Sequence, residues 1–166
     1  MATLAYTGPT VITIGPHATP LASSSSFTLG RCSAEIDNTS NLYQDVTIQG
    51  LITVGTTPTV NTQILCYVWG SYVSTVTTAL DVIVGTDADK TITSAGVAAG
   101  FLKLAGVGTV DSTTSNRGYY LGCQSVAQLF GGNMPQFWGL FITHNTGVAL
   151  NSTAGNHVWK YTGIKY

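Results

Sequence analysis

The chain has 166 residues, enough for one domain that buries roughly two-thirds of the surface its unfolded form exposes, so a core can form without disulfides or metals. Hydrophobic residues make up 44% of it and charged ones only 8%, against about 25% charged in an ordinary globular chain. Six scattered basic and seven acidic residues leave a net charge of -1. That balance excludes the concentrated basic face that nucleic acid requires. A polarity supplied by Thr, Ser, Gly and Asn, beside many β-branched and aromatic residues, excludes disorder.

A surface with so little charge has little colloidal repulsion to keep copies apart in solution. It suits a subunit of a large assembly or an extracellular module better than a free cytosolic monomer. No basic-then-apolar leader opens "MATLAYTGPTVITIG" and no apolar run reaches the ~18 residues of a membrane span. The expectation is a chain made inside the cell, with no membrane partner.

Short β-branched runs between Gly, Pro, Asn and Ser clusters recur, and helical periodicity is nearly absent, which predicts an all-β fold of about eight strands. The first is "TVITI" (Thr10, Val11, Ile12, Thr13, Ile14), followed by the turn "GPHATP" and by "SFTLGRC" (26–32). After "DNTSN" comes "LYQDVTIQGLITV" (42–54), where Val46, Ile48, Ile52 and Val54 alternate with polar residues and Gly50 marks a bulge. "TQILCYVWGSYV" (62–73) is apolar on both faces and reads as a central strand.

Residues 74–98 are less regular, with "GTDADK" as a surface turn. "GFLKLAGVGTV" (100–110) and "YYLGCQ" (119–124) follow as strands. "SVAQLFGG" (125–132) is the one helix expected, with Ser125 as its cap and Gly131 at its end. "QFWGLFITH" (136–144) and "NHVWKYTGIKY" (156–166) are expected to form the last hairpin. Its turn would hold Asn145, Asn151 and Asn156, with His144 and His157 too far apart to share a metal. The fold class is therefore an antiparallel two-sheet sandwich, in its jelly-roll form. Residues 1–22 are expected to be an extended arm and 23–166 a single domain.

Enzyme chemistry finds no footing: there is no G-x-S-x-G elbow, and Glu35 and Asp37 read as a polar turn, not a glycosidase pair. Cys32, Cys66 and Cys123 are odd in number and widely spaced, which predicts buried thiols. Asp81, Asp87 and Asp89 lack the glycine and closing glutamate of a calcium loop. No metal or cofactor is expected. A sugar site is chemically conceivable, with Trp159 and Tyr161 stacking on a ring face beside the neighbouring asparagines, whereas Trp69 and Trp138 lie in the most apolar strands and belong to the core.

The stretches "SSFTLGRCSAEIDNTSNLYQDVTIQGLITVGTTPTVNTQILCYVWG", "DSTTSNRGYYLG" and "LFGGNMPQFWGLFITHNTGVALNSTAGNHVWKYT" resemble a family of structural proteins of tailed bacteriophages. Capsid cement, or decoration, proteins with a β jelly roll are the nearest characterised relatives, and the resemblance covers most of residues 23–163. It implies a non-enzymatic virion subunit on the capsid exterior, made in the host bacterial cytoplasm. Such a subunit would tie neighbouring major capsid proteins together and associate with itself as a homodimer, or as a trimer. The glycosylation triplets at Asn38 and Asn151 would then stay bare.

Two segments are expected to meet the capsid. The arm would offer Thr10, Val11, Ile12, Thr13 and Ile14 as an added strand at a neighbour's sheet edge, and the loop from Ser74 to Ala98 would offer Asp87, Asp89 and Lys90. The alternative function is a glycan-binding or adsorption module of a phage tail or head fibre, carried by Trp159 and Tyr161.

Overall fold

The computed structural model describes residues 3–74 and 82–166. Among these residues are ten strands, paired antiparallel: β1 Ala5–Val11, β2 Leu29–Cys32, β3 Ile36–Asp37, β4 Asp45–Thr53, β5 Gln63–Ser71, β6 Ala88–Thr91, β7 Lys103–Thr109, β8 Gly118–Ser125, β9 Phe137–His144 and β10 Val158–Lys165. Two short helices join them, α1 Ala95–Phe101 and α2 Val126–Leu129.

The strands form two sheets, ordered β1-β10-β4-β8 (sheet A) and β6-β2-β9-β5-β7 (sheet B), with β3 pairing to β9 at one end of the second. When the short β3 and the inserted β6 are set aside, eight strands remain. In chain order they occupy sheets A, B, A, B, B, A, B and A, so the chain repeatedly crosses from one sheet to the other. That wrapping order is the jelly roll.

The core follows from alternation. On β4, Val46, Ile48 and Ile52 are buried and meet Ile64, Val68, Leu140 and Ile142 from the facing sheet. Gly50 sits at a register shift between β4 and β8, and a Cβ there would collide with the indole of Trp159. The glycine lets that ring lie across the strand, which is why the sequence interrupts an otherwise β-branched run at this point.

The expected helix is α2: Ser125 Oγ accepts from Gln128 N at 3.0 Å, and Gly131 turns out of the helix at φ 71°. A second helix, α1, goes beyond the single one expected. Its sequence, AGVAAGF, has no acidic residue in its first turn and no basic residue in its last, so it carries no charge signal at either end.

Sheet B is covered on its outer face by the chain's own excursion between β5 and β7. Ile83, Ile92 and Leu102 from this segment pack on Cys32, Trp69 and Phe141 in a second cluster. For this reason β9 is buried along nearly its whole length. Residues 75–81, with Asp81 among them, lie outside the described part.

Two expectations need correction. Residues 1–22 do not form a free arm as far as they are described: β1 pairs along β10, with Thr10 opposite Tyr161 and Val11 opposite Lys160. Ile12, Ile14 and Leu21 are core residues, and Ile12 N donates to Trp159 O. Within the chain, Thr10 and Val11 pair with β10 on one side, and β1 is an edge strand of sheet A.

Likewise β9 and β10 are not a hairpin. They lie in different sheets, and the segment between them is an arch across the sandwich. Strand partners in a jelly roll are set by the global wrap and not by chain proximity, so two strands separated by a turn-rich stretch need not pair.

Candidate functional site

The expected contact residues of the loop are engaged internally. Arg31, on β2, donates through Nε to Asp87 Oδ1 at 2.7 Å, through Nη1 to Asp89 Oδ1 at 3.1 Å and through Nη2 to Asp87 O at 3.1 Å. Gly15 N donates to the same Asp87 oxygen at 3.0 Å. Asp87 and Asp89 therefore fasten β6 and the β1–β2 crossing onto β2, so "GTDADK" is no free surface turn. Lys90, opposite Gly30 on β2, is half-buried in β6, which is an edge of sheet B.

The sugar-stacking pair fares similarly. Trp159 is 1% exposed and Tyr161 7%. Tyr161 lies edge-on to Trp138 and Tyr43, with centroids at 5.3 and 6.2 Å, and burial raises its hydroxyl's pKa. Neither ring has a free face for a ligand. A period-2 reading of "HVWKYTG" carries the right signal, since His157, Trp159, Tyr161 and Gly163 all point to the core side. The polar neighbours obscure it.

His157, at the end of the arch, lies near enough to His144 to act on its protonation. His17 and His157 stack with centroids 6.3 Å apart. His157 Nε2 donates to Asn151 O at 2.8 Å while its Nδ1 accepts from Thr53 N at 3.4 Å. His144 Nε2 donates to Leu21 O at 3.0 Å, with Thr146 Oγ1 at 3.0 Å from Nδ1.

Burial, with a smaller contribution from the neighbouring His157, pushes the His144 pKa down to about 4 against the raising effect of its bond to Leu21 O. His157 is itself lowered by burial and, to a lesser extent, by His17. Each facing carbonyl accepts only, which fixes the Nε2–H tautomer. His144 and His157 thus form a neutral tie between crossing segments. Among the described residues no group of three or more His, Cys, Asp or Glu is arranged to hold a metal.

The asparagines act as turn and bracing groups. Asn151 Oδ1 accepts from Thr153 N at 2.7 Å, and Asn145 Oδ1 accepts from Gln63 N at 2.6 Å. Asn38 is buried, with both ends of its amide bonded to the Tyr43 backbone. Cys32 and Cys66 are buried free thiols; burial raises Cys32 to about 12 and Cys66 higher still. The Cys123 side chain lies outside the described part.

A different surface stands out, one that motif reading misses because no motif marks it. Among the described residues, the outer face of sheet A carries no covering segment comparable to that on sheet B. A cross-strand row, Val158–Leu51–Tyr120, runs over β10, β4 and β8, and Tyr120 is 75% exposed. Val11 stands exposed beside Lys160 in the next row, and Tyr6 lies opposite Ile164 farther along. Lys160 is the central charge; Asp45 sits at the margin, where its carboxylate accepts from Ala127 N at 2.9 Å. Two shallow hollows of about 220 and 290 Å³ flank the Lys160–Gln49 pair.

No protein-family model, curated protein or solved structure matches the chain.

Proposed function

We propose that this protein is a non-enzymatic virion structural subunit of a tailed bacteriophage that binds the capsid exterior and cements neighbouring major capsid proteins. The observation that carries the reading is the asymmetry of the sandwich. The chain covers the outer face of sheet B with its own excursion and leaves the outer face of sheet A bare, weakly charged and studded with Tyr6, Val11 and Tyr120. Interface centres are depleted of charge and enriched in aromatics, and a charged fraction of 8% suits a surface that spends its life covered.

The resemblance of residues 23–163 to phage structural proteins points the same way. Sheet A is the face we assign to the major capsid protein, in place of the arm and loop. Self-association as a homodimer, or a trimer, would let one unit grip two capsid subunits, and the second contact then gains from effective concentration. The glycan-module alternative loses Trp159 and Tyr161 as its stacking residues because both are buried.

The test is binding of the purified protein to shells that lack it. Tyr120→Glu places a charge in the exposed row of the bare face, on its edge strand β8, and the exposure of Tyr120 leaves folding intact. We expect occupancy to fall by at least about tenfold, the equivalent of about 1.4 kcal/mol. Undiminished occupancy by this variant would remove sheet A from the interface.

A further inference from the structure

At the other end of β9 from His144, three loops border an open hollow of about 500 Å³, within the size range of small-molecule sites. Its wall has four carboxamides, Gln44, Asn133, Gln136 and Asn38, the last already bonded to the Tyr43 backbone, and two tyrosines, Tyr43 and Tyr72, with Leu42 as an apolar edge. No charged side chain is among the described residues that line it.

Two of the loops are tied to each other through Asn38. Asn38 Oδ1 accepts from Tyr43 N at 2.9 Å, its Nδ2 donates to Tyr43 O at 3.1 Å, and its backbone N donates to Gln136 O at 2.8 Å. One buried amide thus sets the spacing of Tyr43 and Gln136 before any ligand arrives. The Tyr43 ring packs over Gly163, where a Cβ would collide with it. Tyr72 projects from the end of β5 and is 67% exposed, so its ring keeps a free face.

We propose that this hollow is a binding site for a neutral carbohydrate. A carboxamide offers a donor and an acceptor together, which is what adjacent sugar hydroxyls need. An exposed tyrosine gives the apolar C–H face of a pyranose a surface to lie on while its hydroxyl stays wet. The absence of charge along the lining disfavours phosphate, carboxylate and ammonium ligands, whose desolvation would go uncompensated. The site is separate from sheet A's outer face and does not depend on the capsid reading; a subunit seated on a shell by that face would be free to carry it.

The test uses the isolated, isotope-labelled full chain titrated with the methyl glycosides of glucose, galactose, mannose and N-acetylglucosamine, each up to about 50 mM, well above the Kd of about 1 mM that corresponds to about -4 kcal/mol. We expect saturable shifts for at least one sugar, confined to the side-chain amides of Gln44, Asn133 and Gln136 and to the backbone around Tyr72. Tyr72→Ala, at an exposed position, should weaken that binding by at least about tenfold, and Gln136→Ala should weaken it too. The proposal is overturned by the absence of saturable shifts with all four sugars, by shifts confined to another surface, or by unchanged affinity in both variants. None of these results bears on whether the chain is a virion component.

Discussion

Arg31→Ala should destabilise the protein by about 3 kcal/mol, at the lower end of what breaking a buried pair costs. The guanidinium serves three acceptors at once, two on Asp87 and one on Asp89. Its side chain is 11% exposed, against 24% and 32% for the two carboxylates. Removal leaves two like charges two positions apart at the start of β6 with no cation between them, and solvent reaches them only in part, which is why the loss stays below that of a fully buried triad.

Arg31→Lys should recover only part of the loss, because an ammonium cannot reproduce the fork that meets Asp87 and Asp89 together. Urea unfolding followed by tryptophan fluorescence measures both. A midpoint for Arg31→Ala equal to that of the parent would show that Asp87 and Asp89 are free surface charges after all.

Acid should weaken the fold through His144. Its folded-state pKa is lowered from 6.5 to about 4, so between those values the unfolded chain binds a proton that the folded chain refuses. Stability therefore falls as the pH drops below about 6.5 and levels off, for this group, near pH 4. The full span corresponds to about 3 kcal/mol, and His157, lowered in the same direction, adds to it with the same sign.

The structural cause is specific. A protonated His144 would be a cation held in the core beside His157, where burial opposes it, and a proton on Nδ1 of His157 would displace Thr53 N–H. The comparison is urea midpoints at about pH 7.5 and about pH 4.5 for the parent and for His144→Gln, whose amide retains a donor without titrating. We expect the parent to lose much of its stability and the variant to lose distinctly less. Parallel losses in the two proteins would take His144 out of the account.

Much of the sandwich is legible in the sequence because burial on one face imposes a period of two. Val46, Ile48 and Ile52 announce β4, Gly50 announces its irregularity, and the two-sided apolar run around Cys66 announces a strand buried on both faces. Ser125 and Gly131 bracket α2 by the chemistry of helix ends.

What remains hidden depends on partners distant in the chain. β6 reads as a turn because Ala88–Thr91 is polar, and only its pairing with β2 and its bonds to Arg31 make it a strand. The β9–β10 arch reads as a hairpin because asparagines mark a turn without saying which sheet receives the chain next. Trp159 looks available because His157 and Lys160 flank it, yet its partner, the side-chain-free surface at Gly50, lies more than a hundred positions away. The bare face of sheet A and the amide-lined hollow have no sequence motif at all; each is assembled from residues that only the wrap brings together.

The most direct test of the central claim is the protein content of purified phage particles whose genome encodes this chain, measured by quantitative mass spectrometry. The capsid reading predicts that the chain is present at a fixed ratio to the major capsid protein in particle after particle. Its absence from intact particles, or an amount that varies freely from one preparation to the next, would contradict that reading.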